Sequence, residues 1–154
     1  MVDRPQSVLF CCDHNSVRSP MAEGLMKALY GQDIYVQSAG VHSELEIDGF
    51  AVAVCSELGV ELSAHKVRSF DQMEEWGDDL SSFDLVIALS PASQARAEEL
   101  TRRSHLEVIY WPIIDPTAIG TRREEKLDAY RQARDQIRAK LQAHFGLPEG
   151  VPPL

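Results

Sequence analysis

Cysteine is scarce in this chain: 154 residues contain three, Cys11, Cys12 and Cys55. An odd, small number is not a disulfide framework, and with no C-x-x-C pair it cannot build a four-thiolate zinc site. Basic residues are also few, 15 Lys and Arg against 24 Asp and Glu, for a formal charge of −9. That balance argues against nucleic-acid binding, which needs a basic surface to displace counterions, and against docking on anionic membranes. No apolar run is long enough to span a bilayer. Residues 1–7 are polar and lack a secretory h-region, so a cytoplasmic location is expected. Repeats and low-complexity tracts are absent as well.

What is present suits one globular domain over residues 1–154, with a Pro/Gly-rich tail at 146–154. Hydrophobic residues make up 44 % of the chain, enough for a core. The acid excess is concentrated: residues 44–84 carry 11 acids against Lys66 and Arg68, a local balance of 2 − 11 = −9. The plain reading is a solvated acidic face, and the sharper one a docking face for a basic partner. Short apolar runs at 7–11 and 84–89 predict buried strands, with further strands at 33–39 and 106–110. Helices are predicted from Pro20, with Ser19 as N-cap, and over 48–59, 69–80, 91–102 and 121–145. Strands alternating with helices imply a parallel sheet covered on both faces, a three-layer α/β/α fold. Such folds bind ligands at the carboxyl ends of their strands, so the first strand-to-helix loop is the first place to look.

That loop reads Cys12-Asp13-His14-Asn15-Ser16-Val17-Arg18-Ser19. Five residues between Cys12 and Arg18 can curl the backbone into a cup whose N–H groups, with the following helix, form a nest for a tetrahedral oxyanion. Arg18 can hold two of its oxygens, a bidentate grip that Lys cannot match. The same field stabilises a thiolate at Cys12, and Ser19 can donate to it instead of capping. Asn15 tolerates the positive φ of a tight cradle. A thiolate beneath a bound oxyanion is placed for in-line attack on phosphorus or arsenic. Cys11, on the opposite face of the strand, and Cys55, in an apolar stretch, read as core.

The stretch VLFCCDHNSVRSPMAEGL resembles the signature of the low-molecular-weight protein tyrosine phosphatase family. The SAG of 38–40, HKVR at 65–68, FDLVIAL at 83–89 and Asp115-Pro116 before a long last helix follow in the family's order. The resemblance implies a four-stranded parallel sheet with the phosphate-binding loop after the first strand. It also implies roles: Cys12 as nucleophile, Arg18 as phosphate-binding arginine, and Ser19 as support of the thiolate. Asn15 would shape the loop, Asp115 act as general acid, and His65 brace the loop from outside. No metal or cofactor is implied, and the partner would be a phosphorylated protein or a small phosphate ester.

The loop departs from the family pattern at Asp13 and His14, where a small or apolar residue and a glycine are usual. An acid at Asp13 opposes anion binding unless it points outward, and His14 narrows the mouth. Val17 replaces a second cysteine, so it cannot form the protective disulfide with Cys12 found in other members. Aromatic residues usual beside the cleft are missing after Pro116 and near 41–48, and Trp111 and Tyr110 read as core. Three functions stay open. One is a cysteine-dependent phosphomonoesterase, first of all a protein tyrosine phosphatase. The second is an arsenate reductase using an external thiol. DPTAIGT at 115–121 leans that way, whereas Pro20 after Arg18-Ser19 and the absence of cysteine from 56–154 lean to the phosphatase. The third is a catalytically weak module that binds phosphate or phosphoproteins.

Overall fold

A computed structural model describes residues 5–31, 34–42, 46–102, 104 and 106–146. Its elements run β1 (Ser7–Cys12), α1 (Arg18–Tyr30), β2 (Tyr35–Gly40), α2 (Gly49–Ser56), α3 (Phe70–Glu75), β3 (Leu85–Ala88), α4 (Pro91–Leu100), β4 (Glu107–Tyr110) and α5 (Arg123–Phe145). Short 3-10 turns occupy Leu80–Ser82 and Pro116–Ala118. The four strands are parallel, as the resemblance implies, and run in the order β2-β1-β3-β4. The predicted tail beyond Gly146, and Asp33 at the start of the second predicted strand, lie outside the described residues.

β1 explains the layering. All six of its residues are buried, and alternate side chains enter different cores. Val8, Phe10 and Cys12 pack with Met21, Leu25 and Leu29 of α1, Val54 of α2, and Ile137 and Leu141 of α5. Leu9 and Cys11 pack on the other side with Phe70 and Met73 of α3 and Ala97 of α4. β1 also lies between β2 and β3, so the chain departs to opposite sides of it. The crevice at its carboxyl end is where a ligand can reach the backbone. Trp111, 5 % exposed, and half-buried Tyr110 pack against the two cores, as read from the sequence.

Helix boundaries differ from the sequence reading where a side chain has other work. α1 starts at Arg18, two residues before Pro20, and its N-cap is Val17, which offers no side-chain bond. Ser19 does not cap it, because its hydroxyl is held by Cys12 and Asn15. α2 begins behind Asp48, whose carboxylate accepts from the N–H groups of Phe50 and Ala51. The predicted 69–80 helix is shorter: α3 is capped by a Ser69–Gln72 box, ends at Glu75, and is followed by the separate turn capped by Asp79. Gly77, with φ at +89°, breaks it in between.

The described acids of segment 44–84 are mostly exposed, in keeping with the solvated reading, and several also hold local structure. Asp48 caps α2, Asp79 caps the Leu80–Ser82 turn, Glu57 binds Arg131 and Arg134, and Asp78 binds Arg68. No helix of the described residues is long and apolar enough to cross a membrane.

Candidate active site

The loop after β1 closes on itself through Asn15, whose φ of +56° is the only positive value at a described non-glycine residue. Its amide uses all its hydrogen-bonding capacity. Nδ2 donates to Ser19 Oγ at 2.9 Å and to Ser38 Oγ at 2.9 Å. Oδ1 accepts from the Arg68 N–H at 3.0 Å and lies 3.1 Å from His65 Nε2. Gly40 makes room for the loop: a Cβ there would lie 2.7 Å from both Asn15 N and the His14 carbonyl carbon. The N–H groups of Val41, His42 and Asp48 donate to the carbonyls of Cys12, Asp13 and Ser16. These bonds turn carbonyls of the loop outward, while no described hydrogen bond is donated by the backbone N–H of Asp13, Asn15, Ser16, Val17 or Arg18. That is the polarity an anion nest requires.

Cys12 ends β1 at the foot of this cup, 3 % exposed. Its sulfur lies 2.9 Å from Ser19 Oγ and accepts from the Ser19 N–H at 3.4 Å. Because Asn15 donates into Ser19 Oγ, the Ser19 hydroxyl hydrogen is left to point at sulfur, which suits a thiolate. Arg18, 7 % exposed, is fixed at one edge by the carbonyls of Ile113 (3.1 Å) and Leu89 (3.5 Å). Its Nη2 lies 3.3 Å from Asp13 Oδ2 and 3.9 Å from Asp115 Oδ2. Asp13 therefore does not point outward, as anion binding would favour, but inward onto the arginine.

Asp115 reaches the mouth from the loop after β4. Its Oδ1 accepts from the Thr117 N–H (3.0 Å) and hydroxyl (2.7 Å). Partial burial raises its pKa, but the Thr117 hydrogen bonds, with Arg18 and His14 nearby, outweigh that and hold it below the usual value. His65 stands outside the loop. Burial disfavours its charged form, and although Glu23 opposes this the pKa is lowered. A neutral ring with its proton on Nε2 can donate to Asn15 Oδ1, since that oxygen can only accept.

The structure brings Cys12, Asp13, Asn15, Arg18, Ser19 and Asp115 to one point and sets His65 behind the loop. His14 and Ser16 line a cleft of about 530 Å³ with Glu46, Ile47, Asp48, Gly49 and Thr117. Among the residues shown, His14 contributes the only ring to that wall, and it also faces His42 with ring centroids 5.7 Å apart. Val17 is buried against the core.

Sequence reasoning missed the layer that holds Asn15. Ser38 donates to Glu23 (2.7 Å), and Glu23 pairs with Lys27 (2.6 Å). Arg68 ties Ser38 O, Gln37 and Asp78 together. The signal was present in the SAG and HKVR stretches, whose Ser38 and Arg68 are buried. Among the described residues no group of three or more His, Cys, Asp or Glu is placed to hold a metal ion.

A doubly wound parallel sheet, with a C-x5-R-S loop between β1 and α1, defines the class of thiol-bearing oxyanion-loop proteins. Within it, the chain belongs to the low molecular weight phosphotyrosine protein phosphatase family, whose model matches residues 7–145. Over 130 residues it is 32 % identical to an arsenate reductase of Halalkalibacterium halodurans, spanning 84 % of this chain and 88 % of that one. A solved arsenate reductase in its phosphate-binding state superposes with a TM-score of 0.70 at 26 % identity, over 90 % of this chain and 95 % of that one. A tyrosine phosphatase of Erwinia amylovora shares the fold, with a TM-score of 0.69 at 20 % identity over 91 % and 93 % of the two chains.

Proposed function

We propose that the protein is a cysteine-dependent phosphomonoesterase that turns over through a phosphocysteine at Cys12. The observation that carries this reading is Asp115 at the mouth beside Arg18, an acid placed for an ester's leaving group, while the other thiols speak against an internal relay. Reduction of an oxyanion consumes thiols, whereas hydrolysis closes the cycle with water. Cys11 is fully buried and its pKa is raised by burial. Cys55 is also fully buried, and burial pushes its thiol up to about 12. The chain has no other cysteine to relay electrons.

In the first step Cys12 Sγ attacks phosphorus, the S–P bond forms and the ester P–O bond breaks. The departing oxygen takes a proton from Asp115, which the mouth position allows. Loop N–H groups and Arg18 stabilise the equatorial oxygens. In the second step Asp115 accepts a proton from water as its oxygen attacks phosphorus. The S–P bond breaks, releasing inorganic phosphate and the thiolate. The Asn15 side chain and His65 keep the loop in shape and touch no reacting atom. Phosphorylated proteins and small phosphate esters are the substrate classes, and the cleft beside His14 supplies little aromatic surface for a phosphotyrosine ring.

A second reading is arsenate reduction with an external thiol, favoured by the relative that is 32 % identical and bears that name. The same loop would bind arsenate, and two external thiols would supply the two electrons.

Hydrolysis of para-nitrophenyl phosphate without metal or added thiol, beside the Cys12→Ser variant, tests the first reading. Turnover by the wild type that is lost in the variant is the expected result. No hydrolysis, together with arsenate reduction that depends on added glutathione, would replace it with the second.

A further inference from the structure

Arg18 already holds acid side chains on the edge where an oxyanion would bind. Nη1 is committed to the carbonyls of Ile113 and Leu89. Nη2 faces two carboxylates, Asp13 Oδ2 at 3.3 Å and Asp115 Oδ2 at 3.9 Å. A tetrahedral oxyanion gripped bidentately through Nε and Nη2 would share Nη2 with these carboxylates. Asp115 has a ready alternative, since its other oxygen already accepts from Thr117 N and Oγ1 and its side chain is half exposed. Asp13 is held more tightly: its side chain is a third exposed, and its Oδ1 is buried without a hydrogen-bond partner among the described residues. Its backbone is pinned as well, because Asp13 O accepts from the His42 N–H at 2.8 Å. The carboxylate can therefore move off Arg18 only by rotation of its own side chain, with the backbone held in place.

We propose that Asp13 is an affinity-determining residue, an internal anion that competes with the bound oxyanion for Arg18. The inference rests on reading the loop as an oxyanion cradle and adds what this chain does with it. Two anions on one guanidinium edge repel each other, so the oxyanion must displace Asp13 or tolerate its charge. Inorganic phosphate has only the nest to hold it and bears the whole penalty. An ester gains further contacts in the adjoining cleft and is penalised less in proportion. The consequence is a site that binds inorganic phosphate weakly and releases it readily after hydrolysis.

The test is phosphate binding, measured by titration calorimetry on Cys12→Ser and on Cys12→Ser with Asp13→Asn, so no turnover is needed. Removing a full charge a few ångströms from the anion should tighten binding by about tenfold or more. Equal or weaker binding in the double variant would overturn the proposal, because Asp13 would then be holding Arg18 in place rather than competing for it. If neither protein binds phosphate, the cradle reading fails and the proposal with it. Binding by Cys12→Ser without a gain in the double variant removes only the role of Asp13. Asp13→Ser serves as a second neutral replacement should Asn disturb the fold. In the active enzyme, Asp13→Asn should lower the inhibition constant of inorganic phosphate by more than it lowers the KM of an ester.

Discussion

The residue whose chemistry is most exposed to test is Asp115. A general acid works only while protonated, and the environment of Asp115 holds its pKa below the usual value. Its protonated fraction therefore falls as pH rises, and kcat/KM for esters with poor leaving groups should fall with it. In Asp115→Asn that decline should vanish. The variant should also slow alkyl esters by about 10²–10⁴-fold, while leaving esters of acidic phenols much less affected. Measuring both ester classes across pH checks this, and equal slowing of the two would take Asp115 out of the acid role. That Cys12, Arg18, Ser19 and Asn15 meet in one loop was legible in the sequence, because their pattern falls between a predicted strand and a predicted helix. The direction of Asp13 was not, since nothing local says whether an acid in a loop faces solvent or a cation 5 residues away.

At the scale of elements, the loop is held by its neighbours more than by itself. Gly40 ends β2 beneath it, and a Cβ there would press on backbone atoms, Asn15 N at 2.7 Å and His42 O at 2.8 Å. Backbone cannot rotate away as a flexible side chain can. Gly40→Ala should therefore cost about 1–3 kcal/mol of stability and weaken phosphate binding, both readable by thermal unfolding with and without phosphate. A variant as stable as the wild type that binds phosphate equally well would show the loop is not seated against β2. Strands and their order in the chain could be read from short apolar runs. The ends of α1 and α3 could not, because Ser19 was drawn away to Cys12 and Gly77 cut the acidic helix short. Ser38 and Arg68 lay in stretches that resemble the family, yet their bond to Asn15 depends on β2 and the 65–68 segment meeting in space.

At the scale of the whole molecule, α5 closes one core and carries an ion-pair clamp onto α2. Glu57 accepts from Arg131 at 2.6 Å and from Arg134 at 2.7 Å. The Arg131 hydrogen bonds do most to hold its pKa down at about 2, with burial opposing and Arg134 adding. A carboxylate depressed on folding adds stability that is present above its unfolded value of 4.5 and is lost as pH falls toward about 2. Glu57 is partly exposed, so solvent screening keeps the gain small. Unfolding midpoints in denaturant should therefore differ between wild type and Glu57→Gln at neutral pH and converge as the solution is acidified. A difference that persists unchanged at low pH would contradict the clamp. Three layers around a parallel sheet were foreseeable from alternation alone. This α2–α5 clamp was not, because it joins residues 74 positions apart in sequence.

The central claim is a covalent phosphocysteine hydrolysed by water. Acid quenching during steady turnover of para-nitrophenyl phosphate, followed by intact and peptide mass analysis, tests it directly. One added phosphoryl group is expected on the peptide that carries Cys12, formed without added thiol and absent in Cys12→Ser. Turnover with no adduct, or an adduct on another residue, would contradict it.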